Sequence, residues 1–329
     1  MDNVKTPNLK PSIGETKMSR SETSLGRLKG AIVPLNLCFN DDGSVNDDAI
    51  CNYVDWLASE KTPVILLTYG SSEFAWLNDD ELWRLTEKVA KTIDGRSMCV
   101  SSTGFWTPRQ SREFLKHAEA VGVDAVKVQI NTFDYPNGAV TKAYFDELEG
   151  AADMPLLMWW NSAGWVKAMP GDIKEAYIEL SKRPNIIGIK NDGDAFYDYY
   201  SHIRDLQDNG CAAISGGLMS NFLFGHAHGS PAYLCGVAPF RPDLAIEFGN
   251  LVEAGDTAAA KDIIYRYEEP LIAFAGTVNW QVFLKSSVMI RGFYPNNRVG
   301  NPTKTCATGE EFERIKKFFE EVFELKPVV

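Results

Sequence analysis

An apolar run, residues 185–189 (NIIGI), ends directly on Lys190 and then breaks into Asn-Asp-Gly-Asp at 191–194. A lysine offers one reaction that a carboxylate or hydroxyl cannot match. Where the surroundings disfavour the ammonium, the neutral amine attacks a carbonyl and forms an iminium. That iminium is an electron sink for making or breaking the adjacent carbon–carbon bond. An amine at the end of a buried strand, partly desolvated by cavity walls, has the required setting. The competing reading is structural: Lys190 caps a strand and snorkels, or pairs with Asp192 or Asp194.

Other stretches carry chemistry of different kinds. In YGSSEFAWL (69–77), small residues leave backbone N–H groups and the hydroxyls of Ser71 and Ser72 able to cradle a carboxylate or oxyanion. The plain alternative is an ordinary polar turn, with Glu73 as a hydrogen-bonder at the loop base. Lys127 also lies in an apolar run, but mid-strand and followed by more apolar residues. His226-Ala-His228 could donate two metal ligands, yet no third has sensible spacing, which places the pair in or just after a helix. Neither a metal nor an organic cofactor is expected. Ser215-Gly216-Gly217 closes another apolar run, where phosphate loops occur in some barrels.

The elements that must position these groups follow from hydrophobic periodicity. Strand candidates are GAIVPL (30–35), PVILLTYG (63–70), SMCVSST (97–103), DAVKVQI (124–130), PLLMWW (155–160), NIIGIK (185–190), CAAISGG (211–217) and AYLCGVA (232–238). Between them lie amphipathic helical patterns, one opening on an Asn78/Glu81 capping box and another on Thr107-Pro108. Eight strand–helix units within about 225 residues predict a parallel (β/α)8 TIM barrel, with near-continuously apolar strands covered on both faces. A doubly wound open sheet competes, but no Gly-rich dinucleotide turn follows the first strand. The expected organisation is a polar N-terminal tail or arm over 1–28, the barrel over 29–255, and a C-terminal helical segment over 256–329 packed on it.

Bulk properties bound the partners. A net charge of −11 over 329 residues supplies no basic face for nucleic acid or an anionic membrane surface. No apolar stretch approaches the roughly 20 residues of a membrane span. The six cysteines are scattered without a C-x-x-C, and Cys99, Cys211 and Cys235 lie in or beside apolar runs. The expectation is a reducing, cytoplasmic setting without disulfides or structural zinc.

Taken in order, these stretches resemble the dihydrodipicolinate synthase / N-acetylneuraminate lyase family of class I aldolases. The resemblance runs over nearly all of 29–325. It rests on NIIGIKNDGD, YGSSEFAWL, GVDAVKV (122–128), PLLMWWN (155–161), AISGG (213–217) and the late helical segment around Lys285. It implies a (β/α)8 barrel, with Lys190 as the Schiff-base lysine and pyruvate or another 2-oxo acid as substrate. Ser71 and Ser72 would grip the substrate carboxylate; Ser71 survives either way of aligning the loop. A homo-oligomer, dimer or tetramer, is likewise implied.

The pattern also departs from the family. Trp160, before Asn161, stands where the resemblance implies a proton-shuttling tyrosine, and an indole cannot exchange its proton at neutral pH. Phe133 falls near a tyrosine lent across a subunit contact, with Tyr135 two residues on. Trp165 replaces an arginine whose forked geometry Lys167 could not reproduce, and Gly217 replaces an aspartate. A mouth holding Trp159 or Trp160 with Trp165, Phe133 and Trp106 would be aromatic and uncharged. The expected activity is therefore a Schiff-base lyase or aldolase other than true dihydrodipicolinate synthase. Alternatives are dehydration, hydration or deamination of a sugar acid or cyclic imino acid, or a catalytically lapsed barrel that binds a small acid.

Overall fold

Runs that are apolar on both faces need cover on both, and a closed parallel barrel inside a ring of helices supplies it. The computed structural model describes residues 18–130, 137–160, 171–191, 203–302, 306–326 and 328. The strands are β1 (Gly30–Pro34), β2 (Val64–Leu66), β3 (Met98–Ser102), β4 (Ala125–Lys127), β5 (Leu156–Trp160), β6 (Ile186–Asn191), β7 (Ala212–Ser215) and β8 (Ala232–Leu234). Neighbours pair in sequence order, and β1 closes the ring on β8 through Gly30↔Ala232 and Ile32↔Leu234. Both N-caps legible in the sequence are present. Asn78 and Glu81 form a reciprocal box at the head of Asp79–Ile93, and Thr107 caps Pro108–Ala120.

Side-chain direction divides the core in two. Ile32, Val64, Leu66, Val100, Ala125, Leu157, Ile214 and Leu234 fill the barrel, while Val33, Ile65, Val126, Met158, Ala213 and Tyr233 face the helices. The foot of the barrel is plugged by the chain itself. Part of the span expected as a loose tail is a helix, Arg20–Arg27, capped by a Ser19–Glu22 box. Its Leu25 and the following Leu28 join the interior cluster, and Ser24 donates to the Asp124 carbonyl at 2.9 Å while Arg27 pairs with the Asp124 carboxylate at 2.5 Å. Two leucines in a polar segment are too sparse a pattern to announce this; the plug forms because the barrel floor offers a hydrophobic seat. Residues 1–17 lie outside the described residues.

Beyond the barrel, helices Thr257–Ile263, Glu269–Ala275, Trp280–Ile290 and Gly309–Phe323 follow, with a π-helical turn at Ile264–Glu268. They pack through phenylalanines: Phe319 lies 4.9 Å from both Phe240 and Phe283. Asn296 donates to the Phe39 carbonyl at 3.1 Å and Tyr294 to that of Asn36, which ties this segment to the chain leaving β1.

One irregularity decides where the site falls. Leu156 pairs with Ile186, but Leu157 pairs with Gly188, so β6 carries one extra residue at this point. Ile187 belongs to the interior cluster and Ile189 to the outer one, and Lys190 lines the interior again. Residues three apart cannot share a face in an unbroken strand of period two; the bulge resets the phase. Gly188 permits it, because a Cβ there would sit 2.9 Å from the Ala212 carbonyl oxygen and 3.0 Å from Leu157 Cδ2. Gly188→Ala is expected to cost about 1–3 kcal/mol through overpacking against backbone. Activity should fall more than the Tm loss explains, because Lys190 is re-aimed. Denaturation melts alongside turnover test this; wild-type values for both would refute it.

Candidate active site

Lys190 arrives at the C-terminal end of β6, 6% exposed, on the inner face of the barrel. From β4 comes a second amine, Lys127, fully buried and directed inward. Both line one small interior cavity whose remaining walls are aliphatic, from Leu28 at the foot to Ile214 and Leu234 near the top. Between them stands β5. Its Trp159 is the sheet partner of Lys190, and the Lys127 Nζ lies 4.0 Å from the Trp159 ring centroid. That is cation–π range. Trp159 continues into a small aromatic array at the mouth, 6.1 Å from Phe105, which meets Tyr69 edge-on at 4.7 Å. Asp192 and Asp194, the partners of the structural reading of Lys190, lie outside the described residues.

A wider cavity of about 150 Å³ opens above, with Leu234 as a wall common to both spaces. Ser71 from the β2 loop and Gly216 and Gly217 from the β7 loop line it together, facing Cys235, Gly236 and Trp280. Burial pushes the Cys235 thiol up to about 12, so it is a neutral wall, not a nucleophile. Glu268, on the π-helical turn, also lines the space. It accepts from the backbone N–H groups of Met219 and Ser220 (2.9 Å for the latter), and burial raises its carboxyl above the ordinary range. A carboxylate thereby caps the helix Met219–His226.

The β2 loop is anchored by the residues around Ser71. Ser72 is fully buried; its hydroxyl donates to the Leu35 carbonyl at 2.6 Å and accepts from the Thr68 N–H at 3.0 Å. Its oxygen is committed to tying the β1 and β2 exits together, which leaves Ser71 as the loop hydroxyl on the cavity wall. Glu73 adopts a left-handed backbone (φ 51°), accepts from the Gly300 N–H at 2.9 Å and forms an ion pair with Lys285. Lys285 is 1% exposed, donates to the Arg298 carbonyl at 2.8 Å and lies 4.3 Å from the Phe39 ring centroid. Burial lowers its proton affinity, and Glu73 opposes that shift.

Comparison with known proteins places this geometry. The model of the dihydrodipicolinate synthetase family matches residues 27–318. The chain belongs to the dihydrodipicolinate synthetase family. Members of this family are lyases. The chain is 22% identical over 259 residues to an N-acetylneuraminate lyase of Mediterraneibacter gnavus, covering 76% of this chain and 78% of that one. Its fold superposes with a TM-score of 0.80 on a dihydrodipicolinate synthase from Aquifex aeolicus, at 18% identity over 92% of this chain and 100% of that one. A further neighbour is the prophage protein YagE of E. coli K12, solved in complex with pyruvate, with a TM-score of 0.75 and 18% identity over 90% and 99% of the two chains.

Against the family pattern, the expected site residues separate. Lys190 lines the small interior cavity, Ser71 and Gly217 line the wider one, and Leu234 is a wall of both. Trp160 lines neither: it is 5% exposed and packs in the outer layer with Leu156 and Met158, because β5 alternates and Trp159 takes the inward position. Alignment on the dipeptide before Asn161 fixed a residue number but not a face. Phe133 and Trp165, with Tyr135, Asn161 and Lys167, lie outside the described residues. Trp106 donates to Asp79 at 2.8 Å and packs on Phe114, away from the mouth. His226 and His228 stand against Phe222 and Phe224, and among the described residues no group of three His, Cys, Asp or Glu could hold a metal. No helix among the described residues is long and apolar enough to cross a membrane. Sequence reasoning missed the inward aim of Lys127 and Trp159. The alternation of DAVKV and PLLMWW held the signal, but not its phase.

Proposed function

We propose that this chain is a Schiff-base-forming class I lyase or aldolase acting on pyruvate or another 2-oxo acid. The observation that carries the reading is the bulge-directed placement of Lys190 on the inner face at the C-terminal end of β6, with Ser71 and Gly217 lining a cavity that shares the Leu234 wall. Lys190 attacks the keto carbon, and loss of water gives the iminium. Ser71 and the N–H groups of its loop hold the substrate carboxylate. Electrons from the bond that breaks, or for the bond that forms, are held in the iminium–enamine pair. The second substrate is less polar than that of a true dihydrodipicolinate synthase: Gly217 offers no carboxylate, and Tyr69, Phe105 and Trp159 offer flat apolar surface. Cytoplasmic location and homo-oligomeric assembly belong to the same proposal, the first resting on the scattered cysteines and the second on the family resemblance.

Borohydride reduction with pyruvate, and then with longer 2-oxo acids, is expected to leave a mass adduct that peptide mapping assigns to Lys190. An unmodified Lys190 across the panel overturns the reading. Product analysis on the same panel separates carbon–carbon cleavage from dehydration or deamination. Ser71→Ala is expected to raise KM about 10-fold or more, the worth of one hydrogen bond to a charged group, with a smaller effect on kcat. Unaltered steady-state kinetics would remove Ser71 from the carboxylate site.

A further inference from the structure

The cavity of about 150 Å³ that carries Ser71 has two kinds of wall. One is polar and small: the Ser71 hydroxyl and the glycines of the β7 turn, Gly216 and Gly217. The other is bulky and apolar, built by the C-terminal helices from Leu271, Ile272 and Trp280 and continued by Leu218 and Leu234. Among the described residues that line it, the ionisable side chains are Cys235 and Glu268, and the Glu268 carboxylate accepts from the N–H groups of Met219 and Ser220.

Trp280 is fixed in this wall. It is the first residue of the helix Trp280–Ile290, whose N-cap Asn279 accepts from the Val282 N–H at 3.0 Å. The indole stacks on Phe283 at 6.1 Å, and the edge of its six-membered ring reaches Gly236, where an added Cβ would lie 3.3 Å from Cη2. A glycine after β8 therefore makes room for the indole. The β7 turn is held by irregular backbone. Leu218 has φ 70°, a left-handed conformation that a leucine rarely adopts, and Glu268 sits on the π-helical turn Ile264–Glu268. Both irregularities border this one cavity, and such backbone tends to be kept where a site needs it. Ile272 is exposed, an apolar surface that a ligand in the cavity covers.

Size selects the occupant. An apolar cavity of about 150 Å³ takes up one benzene ring, and a flat ring gains further from packing on an indole. We propose that this cavity seats a single aryl ring of the substrate, packed on Trp280 with Ser71 at its polar end, so that the natural substrate is an aryl-bearing carbonyl compound. Its place in the reaction rests on the reading of Lys190 as the Schiff-base residue; the ring seat itself stands without it.

The test has two arms, both on the intact protein. In the first, calorimetric titration compares acetate, phenylacetate and naphthylacetate, none of which forms an iminium. Phenylacetate should bind about 10-fold or more tighter than acetate, the gain from burying one ring, and naphthylacetate, too large for the space, should lose that gain. Trp280→Ala enlarges the seat and should invert the order of the phenyl and naphthyl ligands. Gly217→Leu, at a position where an added Cβ meets nothing within 4 Å, should fill the seat and abolish the phenyl advantage. Equal affinity for acetate and phenylacetate, or a phenyl advantage kept in both variants, overturns the seat. If one variant fails to fold, the other and the wild-type ligand series still decide. In the second arm, borohydride trapping on Lys190 should half-saturate at a phenylpyruvate concentration about 10-fold or more below that of pyruvate. Trapping by pyruvate without that preference overturns the aryl substrate and leaves Lys190 as the Schiff-base residue. No adduct with any 2-oxo acid sinks the Lys190 reading instead, and the ligand series then decides the ring seat by itself.

Discussion

If Lys190 is the Schiff-base residue proposed, Lys190→Met is expected to abolish the borohydride adduct and lower turnover by on the order of 10³-fold or more, with the fold retained. The magnitude follows from removing a covalent nucleophile, whose loss stops the pathway outright and leaves only residual catalysis from binding. The folded state should tolerate the change well. Lys190 is buried on the barrel's inner face, and methionine fills a similar volume there. Melting temperature therefore stays within a few degrees of wild type or rises. Turnover within tenfold of wild type would show that the chemistry runs through another group.

Lys285→Met is expected to cost about 3–5 kcal/mol of stability without touching the Lys190 cavity. The reason is the partner it strands. Glu73 is 4% exposed, and with Lys285 removed its carboxylate keeps the Gly300 N–H but loses the cation that balances its charge. Breaking a buried pair from one side costs more than the pair is worth, because the remaining charge stays out of water. A double variant, Glu73→Gln with Lys285→Met, should recover a large part of the loss. Denaturant melts of the two single variants and the double close that cycle. Additive losses would mean that the two side chains are not coupled. The consequence reaches the site because Glu73 follows Ser71 and Ser72 and holds the base of their loop.

Much of the architecture was legible because it depends on local rules that leave marks in one dimension. Eight apolar runs covered on both faces, spaced by amphipathic segments, describe a parallel barrel whatever the details of packing. The Asn78/Glu81 box and Thr107-Pro108 could be read for the same reason, since a cap is a contact between residues three apart. The helix at Arg20–Arg27 was not legible: its two leucines gain a function only when a barrel floor exists to receive them.

The site divides along the same line. The amino-acid order alone determined that a lysine ends the sixth strand, that a small-residue loop with Ser71 follows the second, and that Gly217 closes the seventh. What it left undecided was direction. A strand's side chains alternate, but the phase of that alternation is set by which neighbour it pairs with and where a bulge interrupts it. The extra residue at Ile187–Gly188 turns Lys190 inward, and the alternation of β5 sends Trp160 to the helices and Trp159 to the cavity. Lys127, read from the sequence only as a mid-strand lysine in an apolar run, comes to line the same interior cavity as Lys190 by the same geometry. Residue identity is a property of the chain, whereas facing requires the closed sheet, because the pairing partner lies tens of residues away.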